Sequence, residues 1–302
     1  YELRPRDWSS DVCSSDLHAD YDSPGALYVG DIQDGSILRK FDVASPLTSS
    51  IVALSEGLYK EVRTFFAGDA SGKVYKGDIS LTNKDNWLLY PVLLFPNGTS
   101  GFSRSLNAIR LKQQTWIFAG TGDIAGYLAS ASDDEEYFAA VNITNVQSGS
   151  PLEVKNTTDN LFQLSAENGS QELDASIYPD RKGWFIKLSA RERLSTPPKF
   201  FKGYVFFATF IPDVDICSES GTSRLYILNA KTGKSAWDPI IETSKKYKEY
   251  IEKRISDFAI RSSAGNAVTL VLPDGTFLVF PEGSINFAAE DIVGEPLYWK
   301  SR

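Results

Sequence analysis

The chain has 302 residues, a net charge of −8, two Cys, one His and no Met. Because a chain without Met lacks its own translation start, we expect a fragment or a processed product. The one imidazole is His18, which excludes a Ser-His-Asp triad or a His-ligated zinc site farther along the chain. The acidic balance argues against a nucleic-acid partner, and no apolar run approaches the roughly 18 residues of a membrane span.

The first residues do not read as evolved protein sequence. Residues 7–17, Asp-Trp-Ser-Ser-Asp-Val-Cys-Ser-Ser-Asp-Leu, match one translated frame of a common sequencing-library adapter. We therefore interpret residues 1–17 as an assembly artefact and expect one domain over 18–302. Cys13 falls in the excluded segment and leaves Cys217 without a partner in sequence. Two interpretations of Cys217 stay open, a buried inert thiol or half of a disulfide with missing sequence.

A short unit recurs from residue 26 onward: an apolar strand, a Gly-Asp or similar turn, and a second apolar strand. Runs of Val, Ile, Phe and Tyr favour buried strands, and Asp and Gly between them favour tight turns. The copies lie at 26–42, 64–78, 116–122, 204–210 with 224–229, and 267–280. Since one hairpin cannot bury its own face, and repeats roughly 40 to 50 residues apart fit four-stranded blades, we predict an all-β fold, an incomplete β-propeller.

Two segments depart from the hairpin pattern. Residues 241–258 carry apolar side chains at helical spacing with charges opposite, which predicts a short inserted helix over part of the sheet surface. Its apolar positions are Tyr247, Ile251, Ile255 and Phe258. The Lys-rich face of this helix is interpreted as solvated, with contact to a partner as the alternative. Residues 144–182, rich in Asn, Ser, Thr and Gly, predict a long loop or a weakly formed blade.

Pairs of acidic residues are the candidate metal ligands. Asp20 and Asp22 have the alternate spacing that offers two oxygens to Ca²⁺, although Ser, Pro, Gly and Ala follow and leave the loop incomplete. Asp213 and Asp215 repeat this spacing and are interpreted as solvated. The acidic run 133–136 is interpreted as a turn exposed to water. We therefore predict a calcium site only at Asp20 and Asp22.

The Gly-containing turns predict structural roles. Asp31 and Asp69, each preceded by Gly, are expected to accept hydrogen bonds from nearby backbone amides and so to fix hairpins. The sequence Gly-Thr-Gly at 120–122 lacks the Lys-Ser/Thr pair and the helix of a phosphate-binding loop. We predict no catalytic residue and no cofactor-binding residue in the chain.

Three stretches in order resemble the C-terminal propeller domain of the PilY-type biogenesis factors and tip adhesins of type IV pili. Residues 27–42 are similar to that family's Tyr-x-Gly-Asp-x-x-Gly-x-Leu-x-Lys-Phe-Asp hairpin. Residues 118–141 are similar to its Gly-Thr-Gly, Tyr-Leu and Phe-Tyr succession, and residues 183–226 follow its order and spacing. The resemblance covers 26–302 and implies a propeller of the quinoprotein-dehydrogenase-like type. In many members a calcium loop of alternating Asp precedes the first hairpin, where this chain has the incomplete loop at 20–25.

The resemblance implies a non-enzymatic scaffold that promotes pilus extension or opposes retraction and mediates surface contact. Its partners would be minor pilins or other pilus components and a host or abiotic surface. Its location would be the cell surface, with the pilus, after export through the periplasm. Calcium is the one cofactor implied, and no quinone is expected. Two alternatives stay open: a fragment of a quinoprotein-type dehydrogenase, which needs a quinone, a calcium ion and a catalytic acid, and a periplasmic propeller scaffold unrelated to pili.

Overall fold

The protein is described by a computed structural model that covers residues 24–280, except for 32, 56–61, 123–134, 156–159, 214–220, 238–244, 252–253, 263–267, 273–274 and 276. Within these ranges the chain is all-β, and its one helical element is a 3-10 turn at Lys84–Asn86. No helix in the described part is long and apolar enough to cross a membrane. The predicted all-β class is therefore confirmed.

The strands form five sheets, numbered I to V along the chain. Sheet I contains β1 (Gly25–Gly30) and β2 (Ile37–Val43). Sheet II contains β3 (Val52–Ser55), β4 (Val62–Gly68), β5 (Lys73–Asp78), β6 (Leu88–Leu94) and β10 (Leu152–Glu153). Sheet III contains β7 (Asn107–Leu111), β8 (Gln114–Gly120), β9 (Tyr137–Asn142), β11 (Phe162–Leu164) and β12 (Gly183–Lys187). Sheet IV contains β13 (Arg193–Leu194), β14 (Lys199–Phe201), β15 (Tyr204–Pro212), β16 (Gly221–Asn229) and β17 (Tyr247–Ile251). Sheet V contains β18 (Ala259–Ser262), β19 (Val268–Val271) and β20 (Phe277–Phe280).

The predicted hairpins form, with antiparallel pairing of β1 with β2, β4 with β5, β15 with β16 and β19 with β20. In the first of them, Asp31 behaves as the sequence predicts, because its Oδ1 accepts a hydrogen bond from the backbone N–H of Gln33 at 2.8 Å. Gly35 closes this turn with a φ of +74°, a conformation that costs little only for glycine. Local turn chemistry therefore explains these strand pairs.

Residues 144–182 contribute more than a loop. From this segment β10 pairs in parallel with β6 of sheet II, and β11 pairs in parallel with β12 of sheet III. Each of these short strands covers the outer edge of a neighbouring four-stranded arrangement. An exposed sheet edge invites pairing with other chains, so the insertion protects both edges. The predicted loop thus contains two short strands that complete sheets II and III.

The helix predicted at 241–258 is wrong for the described part of that segment. Tyr247–Ile251 forms β17, which pairs antiparallel with β16, and residues 254–258 are irregular. Tyr247 lies opposite Tyr226 in this ladder, with ring centroids 5.4 Å apart. The backbone edge of β16 supplies hydrogen bonds that a surface helix would leave unused, and Tyr and Ile suit a strand well. Pairing with a distant strand therefore overrides the local helical spacing.

The hydrophobic cores lie between successive sheets. Four clusters of buried apolar side chains fill the spaces between neighbouring sheets, and each contains residues from both sheets. Examples are Phe41 and Phe65 between sheets I and II, Phe66 and Ile117 between II and III, Phe138 and Phe207 between III and IV, and Phe206 and Leu270 between IV and V. Consecutive residues of a strand point to opposite faces. Apolar pairs such as Phe65-Phe66 therefore serve two cores, which explains why these strands read as continuous apolar runs.

One strand from each of sheets II, III and IV takes part in a common row. β3 contacts β7, and β7 contacts β14. The sheets therefore meet along one row of inner strands while their later strands lead away from it. This arrangement places the ends of equivalent strands from neighbouring sheets next to one another.

Candidate functional site

Three fully buried polar residues occupy the same place in sheets II, III and IV, at the end of the second long strand. They are Asp69 after β4, Thr121 after β8 and Thr209 within β15. The residue before each one pairs with the following long strand: Gly68 with Val74, Gly120 with Phe138 and Ala208 with Leu225. A buried carboxylate accompanies this position in every one of the three sheets: Asp69 itself, Glu136 beside Thr121, and Glu192 bonded to Thr209. These carboxylates are the candidate site.

The carboxylate of Asp69 is saturated with hydrogen bonds. Its Oδ1 accepts from the backbone N–H groups of Ser71 and Lys73 and from the Ser71 hydroxyl, all at 2.9 Å. Its Oδ2 accepts from the Tyr75 hydroxyl at 3.1 Å. Burial and the charge of Asp69 raise the pKa of Tyr75, so the phenol keeps its proton and remains the donor. The structural role predicted for Asp69 is confirmed.

Glu192 holds the corresponding place in sheet IV and is also saturated. Its Oε1 accepts from the hydroxyl groups of Thr209 at 2.6 Å and Tyr226 at 2.8 Å. Its Oε2 accepts from the backbone N–H of Ser189 at 3.0 Å and from Arg224 at 2.7 Å. Burial raises the pKa of Tyr226 well above its usual range, with the charge of Glu192 adding to the effect. Four donors therefore satisfy a carboxylate that water does not reach.

Arg224 links this buried carboxylate to the protein surface. Its Nη1 donates to Glu192 and to the Ser189 hydroxyl, both at 2.7 Å, and its Nη2 lies 3.1 Å from Glu249. Its guanidinium carbon lies 4.1 Å from the centre of the Tyr247 ring. Burial acts to lower the pKa of Arg224, but Glu192 and the nearby tyrosines outweigh it and raise that pKa. The arginine is thus held as a permanent cation between sheet strands.

Glu136 is the least satisfied of the three carboxylates. Its Oε1 accepts from the backbone N–H of Ser100 at 3.0 Å and from the Ser100 hydroxyl. Its Oε2 is buried and makes no hydrogen bond to any residue that the structure describes. Burial raises the pKa of Glu136, against the opposing influence of Ser100, the nearby Thr121 hydroxyl and the charge of Arg193. Through Ser100, Glu136 connects the loop after β6 to the start of β9. Its Oε2 stays without a hydrogen bond, which is unfavourable for a buried acceptor.

Lys246 is a buried cation outside this row. Its side chain has no exposed surface, and its Nζ donates to the backbone carbonyls of Gln171 at 2.6 Å and Gly233 at 2.7 Å. Its own backbone N–H donates to the carbonyl of Ala166 at 2.8 Å. Burial lowers the pKa of Lys246 to about 8. Lys246 therefore connects the 144–182 segment, which contains β11, with the turn after β16.

A pair of hydroxyl-bearing loops was missed by the sequence reasoning. Thr48 and Ser49 both donate their backbone N–H to the carbonyl of Gly68, whose own N–H donates to the Ser49 hydroxyl at 2.6 Å. Ser195 and Thr196 repeat these contacts on Ala208, whose N–H donates to the Thr196 hydroxyl at 2.8 Å. The signal was present in the sequence, because Leu followed by two Ser or Thr residues occurs at both places.

Several residues singled out in the sequence lie outside the described part of the chain. They are Asp20, Asp22, Cys13, Cys217, His18, Asp215 and the artefact segment 1–17. The calcium ligands and both interpretations of Cys217 therefore stay predictions. Of the acidic run, Glu135 is exposed and pairs with Lys187, as expected for a solvated residue, whereas Glu136 is buried. The interpretation of that run as wholly exposed is wrong at Glu136, because Ser100 from the preceding loop covers it.

The hydrogen bonds that these carboxylates accept hold strands and loops in place. Asp69 and Glu192 are fully buried, and each accepts four hydrogen bonds from protein donors. No group of three or more His, Cys, Asp or Glu side chains that could hold a metal ion occurs in the described ranges. Satisfied buried polar networks of this kind fix the register of a core.

The fold and these buried networks define an all-β scaffold in which consecutive sheets pack face to face. No protein-family model matches the chain. The type IV pilus biogenesis factor PilY1 homolog of Xylella fastidiosa is 24% identical over 233 residues. That match covers 67% of this chain and 15% of the relative, so the chain spans a small part of that protein's length.

Among solved structures, the Pseudomonas aeruginosa PilY1 C-terminal domain is 13% identical and has a TM-score of 0.64. The match covers 87% of this chain and 67% of that domain. The β-propeller domain of Myceliophteria thermophila Cps50 (Swd1) has a TM-score of 0.36 at 14% identity, covering 91% of this chain and 65% of that one, and this likeness is too low to support an argument. Sequence and fold together show that the chain is homologous to the C-terminal domain of PilY1.

Proposed function

We propose that the chain is a non-enzymatic β-propeller scaffold of a type IV pilus assembly and adhesion protein. The observation that carries this proposal is the homology to PilY1, whose Xylella fastidiosa relative is described as a pilus biogenesis factor. The protein would act at the cell surface with the pilus after export through the periplasm. Its partners would be minor pilins or other pilus components, and the surface to which the cell attaches.

The propeller arrangement is supported by the way the sheets pack. Sheets II, III and IV each bury both faces against their neighbours. Strands β3, β7 and β14, one from each of these sheets, lie in one row, as the inner strands of neighbouring blades do. Rigid blades of this kind present their connecting loops as contact surfaces.

Deletion of the chain in its native gene tests the pilus role. Cells that lack residues 24–280 are expected to carry few surface pili and to attach poorly, with the intact gene supplied in trans as the control. The same deletion in a background without the retraction motor separates two roles: restored pili indicate that the domain opposes retraction, and absent pili indicate that it promotes assembly. Unchanged piliation and attachment in both backgrounds would overturn the proposal.

The absence of catalysis has a direct test. A quinoprotein dehydrogenase needs a carboxylate free to take a proton from its substrate. Asp69 and Glu192 are occupied by protein donors, and Glu136, whose Oε2 makes no hydrogen bond to the described residues, is buried. The purified chain incubated with pyrroloquinoline quinone, Ca²⁺ and a panel of alcohols and sugars is expected not to reduce an acceptor dye. Turnover that depends on added quinone would establish the enzymatic alternative.

Calcium binding at Asp20 and Asp22 is the remaining part of the proposal. It rests on the alternate spacing of the two carboxylates in sequence, directly before sheet I. A ligand that binds only the folded state raises the melting temperature. Thermal melts with Ca²⁺ and with chelator are expected to differ for the natural sequence and to coincide for the Asp20→Asn, Asp22→Asn variant. Coinciding melts for both proteins would dismiss these ligands.

A further inference from the structure

The sequence contains two Asn-Gly pairs, Asn97-Gly98 and Asn168-Gly169. In such a pair the backbone nitrogen of the glycine can attack the side-chain carbonyl carbon of the asparagine, because glycine has no β-carbon to hinder the approach. Whether this attack occurs in a folded protein depends on how firmly the side chain and the backbone are held. The structure holds the two pairs differently.

Asn97 and Gly98 are both exposed and lie in the turn that follows β6. Neither the Asn97 side chain nor the Gly98 N–H makes a hydrogen bond to any residue that the structure describes. Gly98 has a φ of +93°, and a β-carbon placed on it would meet no atom within 4 Å. The backbone therefore has room to rotate the Gly98 nitrogen toward the side chain of Asn97.

Asn168 and Gly169 are held in place. The Oδ1 of Asn168 accepts from the Ser170 hydroxyl at 3.0 Å and from the backbone N–H of Gln171 at 3.1 Å. Gly169 is buried, and its carbonyl accepts from the N–H of Ser235 at 3.2 Å. Attack at this pair requires the side-chain hydrogen bonds to break and a buried backbone to turn, so it should be slower by roughly tenfold.

We propose that Asn97 is a site of spontaneous deamidation, with water as the co-reactant. The Gly98 nitrogen bonds to Cγ of Asn97, the Cγ–Nδ2 bond breaks, and the side-chain nitrogen leaves as ammonia with the proton of the Gly98 N–H. Water then opens the cyclic imide at either of its two carbonyl carbons. The products are aspartate, which keeps the original backbone, and isoaspartate, in which the main chain runs through the former side chain.

The loop after Asn97 makes this change consequential for the fold. Ser100 donates its backbone N–H and its hydroxyl to the buried Glu136, and the carbonyl of Gly101 accepts from the N–H of Gly122 at 3.0 Å. Isoaspartate adds one carbon to the main chain of this loop, and both products add a negative charge close to Glu136 in sequence order of contacts. Ser100 should then hold Glu136 less well, with a melting temperature lower by roughly 2–4 °C.

Peptide mapping by mass spectrometry tests the proposal on the full chain incubated at mildly alkaline pH. Samples are digested at acidic pH, so that conversion during digestion does not count. The peptide containing Asn97 should gain the mass of an amide-to-acid exchange and should be labelled by an isoaspartate methyltransferase. The peptide containing Asn168 is the internal control and should convert roughly tenfold more slowly.

Thermal melts of the incubated samples test the consequence for the fold. The unaltered protein should lose melting temperature as Asn97 converts. Asn97→Gln is the matched control and should keep its melting temperature, because the longer amide does not form the same ring and the side chain makes no hydrogen bond to a described residue. Asn97→Asp supplies the charge without the added main-chain carbon, and its loss should be smaller.

Three results would overturn the proposal. The first is an unmodified Asn97 after prolonged incubation. The second is conversion of Asn97 and Asn168 at the same rate, which would mean that the hydrogen bonds of Asn168 do not protect it. The third is an equal loss of melting temperature in Asn97→Gln, or none in the fully converted protein, either of which would break the connection between Asn97 and the contact of Ser100 with Glu136.

Discussion

At the scale of single residues, the charges inside the protein differ sharply in what they contribute. Glu192 is fully buried and Arg224 nearly so, and the two side chains share a hydrogen bond of 2.7 Å. Lys40 and Asp42 also pair at 2.7 Å, but both are exposed. A surface pair contributes little to stability, whereas removing one partner of a buried pair leaves an uncompensated charge. Contact distance alone therefore does not tell which of the two ion pairs contributes more to stability.

Glu192→Gln should strongly destabilise the fold. The amide keeps the size of the side chain but leaves the Arg224 guanidinium without its buried counter-ion, at a cost of about 3–5 kcal/mol. Urea unfolding followed by tryptophan fluorescence measures this loss. Lys40→Gln is the control and should leave the midpoint unchanged. Equal midpoints for Glu192→Gln and the unaltered protein would show that the buried pair adds no net stability.

The buried Lys246 predicts a pH dependence of stability. Its pKa is lowered to about 8 in the folded protein, against about 10.4 in an unfolded chain. Between these values the unfolded state binds more protons, so the free energy of unfolding should rise with pH from about 8 to 10. The slope attributable to this group cannot exceed about 1.4 kcal/mol per pH unit.

Lys246→Met should remove this rise, because methionine fills a similar volume and does not titrate. Urea midpoints at several pH values from 7.5 to 10 measure both proteins. The range stops at about pH 10 because buried tyrosines such as Tyr75 keep their protons in the folded state and reverse the trend above it. If the two proteins show the same slope, Lys246 keeps its charge in the fold and the carbonyls of Gln171 and Gly233 suffice to hold it.

At the scale of elements, the two hydroxyl loops before β3 and β14 should be energetically equivalent. Ser49→Ala removes the buried hydroxyl that accepts from the backbone N–H of Gly68, and Thr196→Val removes the one that accepts from the N–H of Ala208. Each change should cost about 1–3 kcal/mol, the penalty of an unsatisfied buried donor. Ser80→Ala, which removes an exposed hydroxyl bonded to Asp78, is the matched control for calorimetric melts. A large loss in only one loop would show that the repeated contacts carry different weights.

These loops also show how far the sequence predicts the elements. Hairpins such as β4–β5 were predictable because their turn residues and apolar runs are local. The two-residue strand β10 was not, since it exists through parallel pairing with β6, some sixty positions earlier in the chain. The predicted helix failed at β17 for the same reason: the edge of β16 is invisible to a periodicity count. The Leu-Ser/Thr-Ser/Thr repeat was visible but carried no meaning before its contacts with Gly68 and Ala208 were known.

The candidate site was less predictable than the fold. Glu192, Thr209 and Tyr226 meet across separate strands, and no spacing in the sequence connects them. Asp69 was predictable because its partners Ser71 and Lys73 follow within four residues. Sequence reasoning therefore reaches the local hydrogen bonds and misses those that the packing of strands creates.

At the scale of the whole molecule, shared cores should make neighbouring sheets unfold together. Phe207 stacks on Phe138 of sheet III with ring centroids 3.7 Å apart and on Tyr226 of sheet IV at 4.6 Å. Sheet III in turn shares its opposite face with sheet II. Damage at one interface therefore has a continuous route through packed side chains to sheets that the residue does not touch.

Phe207→Ala tests this coupling. The cavity should cost about 3–5 kcal/mol, and hydrogen exchange should quicken in β15 and β16 and also in β5 of sheet II, which lies one sheet beyond the mutated interface. Leu88→Ala, a change at an exposed position of β6, is the control and should leave exchange in sheets III and IV as it was. Faster exchange confined to sheets III and IV would mean that the sheets behave as separate units. Faster exchange that also reaches sheet II would mean that sheets II, III and IV unfold as one cooperative unit.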